Sequence, residues 1–141
     1  KNFKIPFTKE FAREYLTNLD KDYTQNDLSA IAKGQLASEH NFQLLDTDLI
    51  TIKIWSEYKY GNCEKWILDT IEKQKTEKRF YLLCKPDIHW EADPLRENPN
   101  NRNGLFELYK KDRKTLKIGH VQLHVKYFWV KLKIRGGLNL I

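Results

Sequence analysis

The 141-residue chain has no methionine and only two cysteines, Cys63 and Cys84, which lie far apart with no C-x-x-C spacing. That usage argues against a disulfide scaffold and against a metal site on paired thiolates. It points instead to two reduced thiols in the cytoplasm. No apolar run approaches the ~20 residues of a membrane span, so no membrane partner is expected, and nothing at the start resembles a signal peptide. Opening on Lys1 with no methionine anywhere, the sequence reads as a fragment or a trimmed product. Acidic residues are missing altogether after Asp112, while Arg113 to Ile141 carries seven basic ones. The whole chain has a net charge of +6, so residues 1–112 are close to neutral and basicity belongs to the tail. Whole-chain charge is therefore no argument for nucleic-acid binding. The six glycines include no G-x-x-x-x-G-K-[ST] arrangement, so no loop that grips a triphosphate is visible.

What remains is the composition of a soluble globular protein, 40% hydrophobic and 31% charged, with no internal repeat and no linker. We read it as one domain, 1–141. The stretch Phe42-Gln43-Leu44-Leu45-Asp46-Thr47-Asp48 organises the rest: a short apolar run ends abruptly in two carboxylates, the pattern of a buried strand emerging at one edge of a sheet. Ligands of open α/β sheets sit outside the carboxyl ends of such strands, and the class expected is α/β.

Before this stretch, Phe3, Ile5 and Phe7 alternate as a strand limited by Pro6. Thr8 is the expected cap of a helix running to about Leu19. Thr24 and Asp27 form a capping box ahead of a second helix with Leu28, Ile31, Ala32 and Leu36 as its buried stripe. Leu49 to Tyr58 alternates like a strand, yet Asp48 offers a cap and a strand ending at a site is usually followed by a returning helix, so a helix is expected. Gly61-Asn62 breaks it, and Trp66, Ile67, Thr70 and Ile71 mark another helix to about Lys75. Phe80 to Cys84 is a second core strand. Residues 85–102 hold three prolines and little periodicity, a length that suits a functional lid. A short helix over Leu105 to Lys111 and a strand over Val121 to Tyr127 follow.

Each chemically suggestive group has a plainer alternative. Asp46 and Asp48 could hold Mg²⁺, which needs only one or two carboxylates beside substrate phosphates, or accept the proton of an attacking hydroxyl; equally, they could cap the next helix. Glu10, Arg13 and Glu14 share a helix face and read as a substrate-facing group or as a surface ion-pair cluster. Arg96 and Arg102 suit phosphate oxygens, and Trp90 a flat ring; alternatively the loop is solvated with its tryptophan tucked onto the core. His120 and His124 sit about 13 Å apart on a strand, too far to share one ion.

Four blocks in order and spacing tie these pieces together: 7–15 (FTKEFAREY), 31–35 (IAKGQ), 46–48 (DTD) and 86–96 (PDIHWEADPLR), with Arg102 beyond. Over roughly residues 4–111 the chain resembles the NadR-like P-loop ATPase/kinase family, which includes the nicotinamide riboside kinase domain. The resemblance implies a three-layer P-loop kinase-like sheet flanked by helices, and transfer of the ATP γ-phosphoryl to a ribosyl hydroxyl with Mg²⁺. By the same resemblance Asp46 and Asp48 would be the catalytic acids of the strand-end motif, a metal-associated carboxylate and a base; Asp46 is taken for the metal, and which of the two serves as base stays open. Glu10, Arg13, Trp90 and Asp93 would face a nucleoside-like substrate, and Arg96 and Arg102 would close on the nucleotide as lid arginines. The family's phosphate loop precedes its E-x-A-R block and would fall before Lys1, so this chain is expected to be inactive alone. Likeness is expected to stop near Asp112, and His89 stands where the family usually has proline. The contrasting expectation is a non-catalytic nucleic-acid or nucleotide-binding module using Lys126, Lys131, Lys133 and Arg135 with Tyr127, Phe128 and Trp129, since charge interleaved with stacking surface suits single strands.

Overall fold

A computed structural model describes residues 6–39, 44–77, 79–87, 90–93, 95, 97–115, 120–123 and 133–135. Two of the strands, β1 (Phe7–Thr8) and β2 (Leu44–Leu45), are very short and pair in parallel. Strand β3 (Arg79–Cys84) pairs in parallel with β4 (His120–Leu123). Between the two pairs lies β5 (Lys133–Arg135), antiparallel to both β2 and β3, so the order is β1-β2-β5-β3-β4. The four strands other than β5 therefore point the same way, and their carboxyl ends line one edge. Among the described residues five helices accompany the sheet, an α/β arrangement. None of the described helices is long and apolar enough to cross a membrane.

Helix α1 (Phe11–Thr17) begins later than the sequence suggests. Thr8 is not its cap: it is a buried strand residue whose hydroxyl donates to the Ser38 carbonyl. The extended segment continues because the Asp46 N–H pairs with the Thr8 carbonyl at 3.1 Å, carrying the β1–β2 ladder one step on. Helix α2 (Gln25–Ser38) opens at Thr24 as expected, with the Asp27 carboxylate accepting from the Thr24 N–H and hydroxyl and from the Tyr15 hydroxyl. These bonds hold the Asp27 carboxyl well down, to about 2.

Helix α3 (Leu49–Tyr60) settles the ambiguous alternation. Leu49, Ile50, Thr51, Ile52, Lys53 and Ile54 are all buried, so a period of two carries no information there. Burial on every side outweighs the modest helix cost of its β-branched residues. Lys53 is tolerated because its ammonium meets Glu57 and Asp112, each at 2.7 Å. Gly61 closes the helix in the left-handed region at φ 78°, where a glycine has no steric penalty. Helix α4 (Lys65–Gln74) buries Ile67 and Ile71 one turn apart.

The last helix, α5 (Arg102–Thr115), is longer than its apolar residues announce. It buries Arg113, counted from sequence as the first basic residue of the acid-free tail, at 3% exposure over the Tyr81 ring. Burial lowers the guanidinium to about 10, with Asp48 and Tyr81 opposing that loss. Lysine-flanked strand residues commonly belong at a solvated edge, yet β5, with Lys133 and Arg135, is the middle strand of the described sheet. Residues 2–5, Phe42-Gln43, His89, Arg96 and 124–132 (including His124 and the tail aromatics) lie outside the described residues.

One glycine carries a packing consequence. Gly34 faces α1, and a Cβ there would run into the Phe11 ring. Helix propensity alone favours alanine over glycine by about 1 kcal/mol. Gly34→Ala is nevertheless expected to destabilise the chain by about 1–2 kcal/mol in urea unfolding, since overpacking outweighs that gain. Unchanged or higher stability would mean that Phe11 swings aside freely.

Candidate functional site

At the carboxyl edge of the sheet a cavity of about 490 Å³ opens between α1, the turn after β2, α3, the end of β3, the 85–101 segment and α5. That volume lies in the range of small-ligand sites, roughly 300–1,000 Å³. Glu10 and Arg13 enter from the start of α1, Asp46 and Thr47 from the turn, Thr51 and Trp55 from α3, and Leu83 and Cys84 from β3. Trp90, Asp93 and Glu97 close it from the loop, while Arg102, Phe106 and Tyr109 of α5 complete the wall.

Six residues picked from sequence thus meet around one space: Glu10, Arg13, Asp46, Trp90, Asp93 and Arg102. Arg13 reaches across 80 positions to Asp93, Nη1 to Oδ2 at 3.1 Å, rather than staying in a cluster within its own helix. With side chains 50% and 22% exposed, the pair is worth at most about 1 kcal/mol, so it orients more than it stabilises. The Arg102 guanidinium lies 5.8 Å from the centre of the Trp90 ring. At the other end of the loop the Tyr23 hydroxyl donates to Glu97 at 2.8 Å, and Lys59 approaches the same carboxylate. Burial and the Glu97 charge raise the Tyr23 phenol far above its ordinary value, so it stays a donor.

The two acids of the D-T-D stretch part company. Asp46 stands in the cavity wall. Asp48 is buried and caps α3, its Oδ1 accepting from the N–H groups of Ile50 and Thr51 at 3.1 and 3.2 Å. Helix capping, the plainer alternative for the stretch, therefore describes Asp48 and not Asp46. Arg96 lies outside the described residues.

Among the described residues no three His, Cys, Asp or Glu side chains gather as a metal cage. A hydrated Mg²⁺ needs less: one carboxylate and a polar oxygen suffice when phosphates supply the rest. Asp46 offers the carboxylate. Thr47, also in the wall, has a buried hydroxyl with no hydrogen-bond partner among the described residues. That donor set fits the ion. The triphosphate itself has no matching G-x-x-x-x-G-K-[ST] loop in the sequence.

Sequence reasoning missed Thr47, read only as the spacer between two acids, and Gln35, whose completely buried amide bonds to both α1 and the Asp46 turn. Gln35 sits on a helix at an apolar-stripe position, and a polar residue there was the signal available.

The family model of the AAA domain matches residues 1–127. The match runs past Asp112, where the likeness was expected to stop. No curated protein and no solved structure matches the chain.

Proposed function

The chain belongs to the AAA-domain family, P-loop NTPase-type and nucleotide-binding in character, and from that premise we propose that its cavity holds a nucleoside-like acceptor, nicotinamide riboside foremost. The activity proposed is ATP-dependent phosphoryl transfer to a hydroxyl of that acceptor, in a form carrying a phosphate loop, on a three-layer kinase-like sheet. The 141 residues by themselves bind the acceptor without phosphorylating it. What carries this reading is the convergence of Glu10, Arg13, Asp46, Trp90, Asp93 and Arg102 on one cavity at the carboxyl edge.

Each side chain then has work suited to its chemistry. Trp90 offers a flat face to an aromatic base. The Arg13–Asp93 pair presents a donor and an acceptor side by side to ribose hydroxyls. Asp46 takes the proton of the reacting hydroxyl or holds a hydrated Mg²⁺ with Thr47. Arg102 adds positive charge where phosphate oxygens would enter. Asp48 acts at one remove, fixing the start of α3 and hence the turn that carries Asp46. Bound Mg²⁺ would neutralise phosphate charge; positioning and such neutralisation account for nearly all catalysis of this type.

The test has two arms. Calorimetric titration of the 141-residue chain with nicotinamide riboside is expected to give saturable binding, and its absence would remove the substrate assignment. Incubation with ATP, Mg²⁺ and the riboside is expected to yield no phosphorylated product above a denatured control. Turnover there would overturn the reading of an incomplete catalytic apparatus.

A further inference from the structure

Two of the segments that bring polar side chains to the cavity are far apart in sequence: the start of α1 (Glu10, Arg13) and the turn after β2 (Asp46, Thr47). A single side chain touches the backbone of both. Gln35, on α2, has 0% exposure. Its Oε1 accepts from the Phe11 N–H at 3.0 Å, and its Nε2 donates to the Thr47 carbonyl at 3.4 Å.

Both partners need it. Helix α1 opens at Glu10, whose side chain makes no capping bond, so the Phe11 N–H is one of the first-turn donors a helix cannot satisfy internally. The Thr47 carbonyl belongs to an irregular turn between strand and helix. The partners also fix which end of the amide is which, because an N–H requires the oxygen and a carbonyl requires the nitrogen. Beside it, the bare Cα of Gly34 lets the Phe11 ring press onto α2 at the same junction.

We infer that Gln35 is a positioning residue, a buried amide clamp that sets the spacing between the Glu10–Arg13 face and the Asp46–Thr47 turn. Its value to the cavity rests on the proposed function; its geometry does not. Glutamine alone suits the place: leucine and methionine bond to neither segment, asparagine is one methylene short, and ionised glutamate keeps the acceptor but turns a second oxygen on the Thr47 carbonyl.

Gln35→Met and Gln35→Glu separate positioning from mere packing, with amide hydrogen exchange at Phe11 and calorimetric nicotinamide riboside binding as readouts. Gln35→Met is expected to speed Phe11 exchange and weaken binding, each by roughly tenfold or more, as a lost buried hydrogen bond implies. Gln35→Glu is expected to leave Phe11 protected yet weaken binding by a similar factor, a split that general loosening of the fold would not produce. Unchanged Phe11 exchange in Gln35→Met overturns the inference, and so does wild-type affinity in Gln35→Glu. If the wild-type chain binds no riboside, the proposed function fails alone and Phe11 exchange decides the clamp.

Discussion

Replacing Arg79 with methionine is expected to cost about 3–5 kcal/mol of stability near pH 8, the usual penalty for stripping one partner from a buried ion pair, and much less near pH 5. The Arg79 side chain is 3% exposed, lies 3.1 Å from the equally buried Glu39 and reaches Glu77 at 2.6 Å. Burial pushes the Glu39 carboxyl up from 4.5 to about 7; Asp48 and Glu77 push the same way, and Arg79 opposes them. The folded chain therefore holds this proton more tightly than the unfolded chain does. Stability from Glu39 protonation is complete below about pH 4.5 and is lost as pH rises through about 7. Near pH 8 the variant must bury an ionised carboxylate beside two other acids, or draw a proton from solution at a cost. Near pH 5 the acid is neutral and retains the Gln74 amide that donates to it at 3.3 Å. Urea unfolding at the two pH values decides the matter, and an equal loss at both would sink the explanation. The companion variant Glu39→Gln is expected to flatten the wild-type decline in stability between them.

The second large effect concerns ligand affinity. Trp90→Ala is expected to weaken nicotinamide riboside binding by roughly 5–150-fold, because stacking a base on an aromatic side chain is worth about 1–3 kcal/mol. Trp90 is half-buried in the cavity wall with the Arg102 guanidinium 5.8 Å from its ring centre. Trp90→Phe keeps a flat face and should retain most of the affinity. Trp66 provides the control: its indole N–H donates to Glu64 at 2.7 Å, it packs against the α2–α4 core, and it is absent from the cavity wall. Trp66→Phe should lower thermal stability without changing affinity. Calorimetry measures the affinities without relying on tryptophan emission. Wild-type affinity in Trp90→Ala would show that the ring does not stack on the acceptor.

The elements were legible where a cap or breaker marks an end. Thr24 and Asp27 announce α2, Gly61 ends α3, and Phe80 to Cys84 forms a strand between a charged stretch and a proline. Thr8 misled because threonine serves strands and caps equally well, and only the pairing of β1 with β2 decides between them. Arg113 misled because sequence charge says nothing of what lies opposite; here Tyr81 and Asp48 make a buried guanidinium tolerable.

The sequence by itself carried the α/β class, the P-loop NTPase-type family at the level of the AAA domain, and six of the side chains that line the candidate cavity. Residue type and spacing carry that information locally. Only the tertiary structure separated Asp46 from Asp48, because which carboxylate caps a helix depends on where the helix begins in space. It also decided the long-range pairing of Arg13 with Asp93, the central place of β5, and the role of Gln35. Each rests on contacts between segments many residues apart, set by how the helices pack on the sheet rather than by any local pattern.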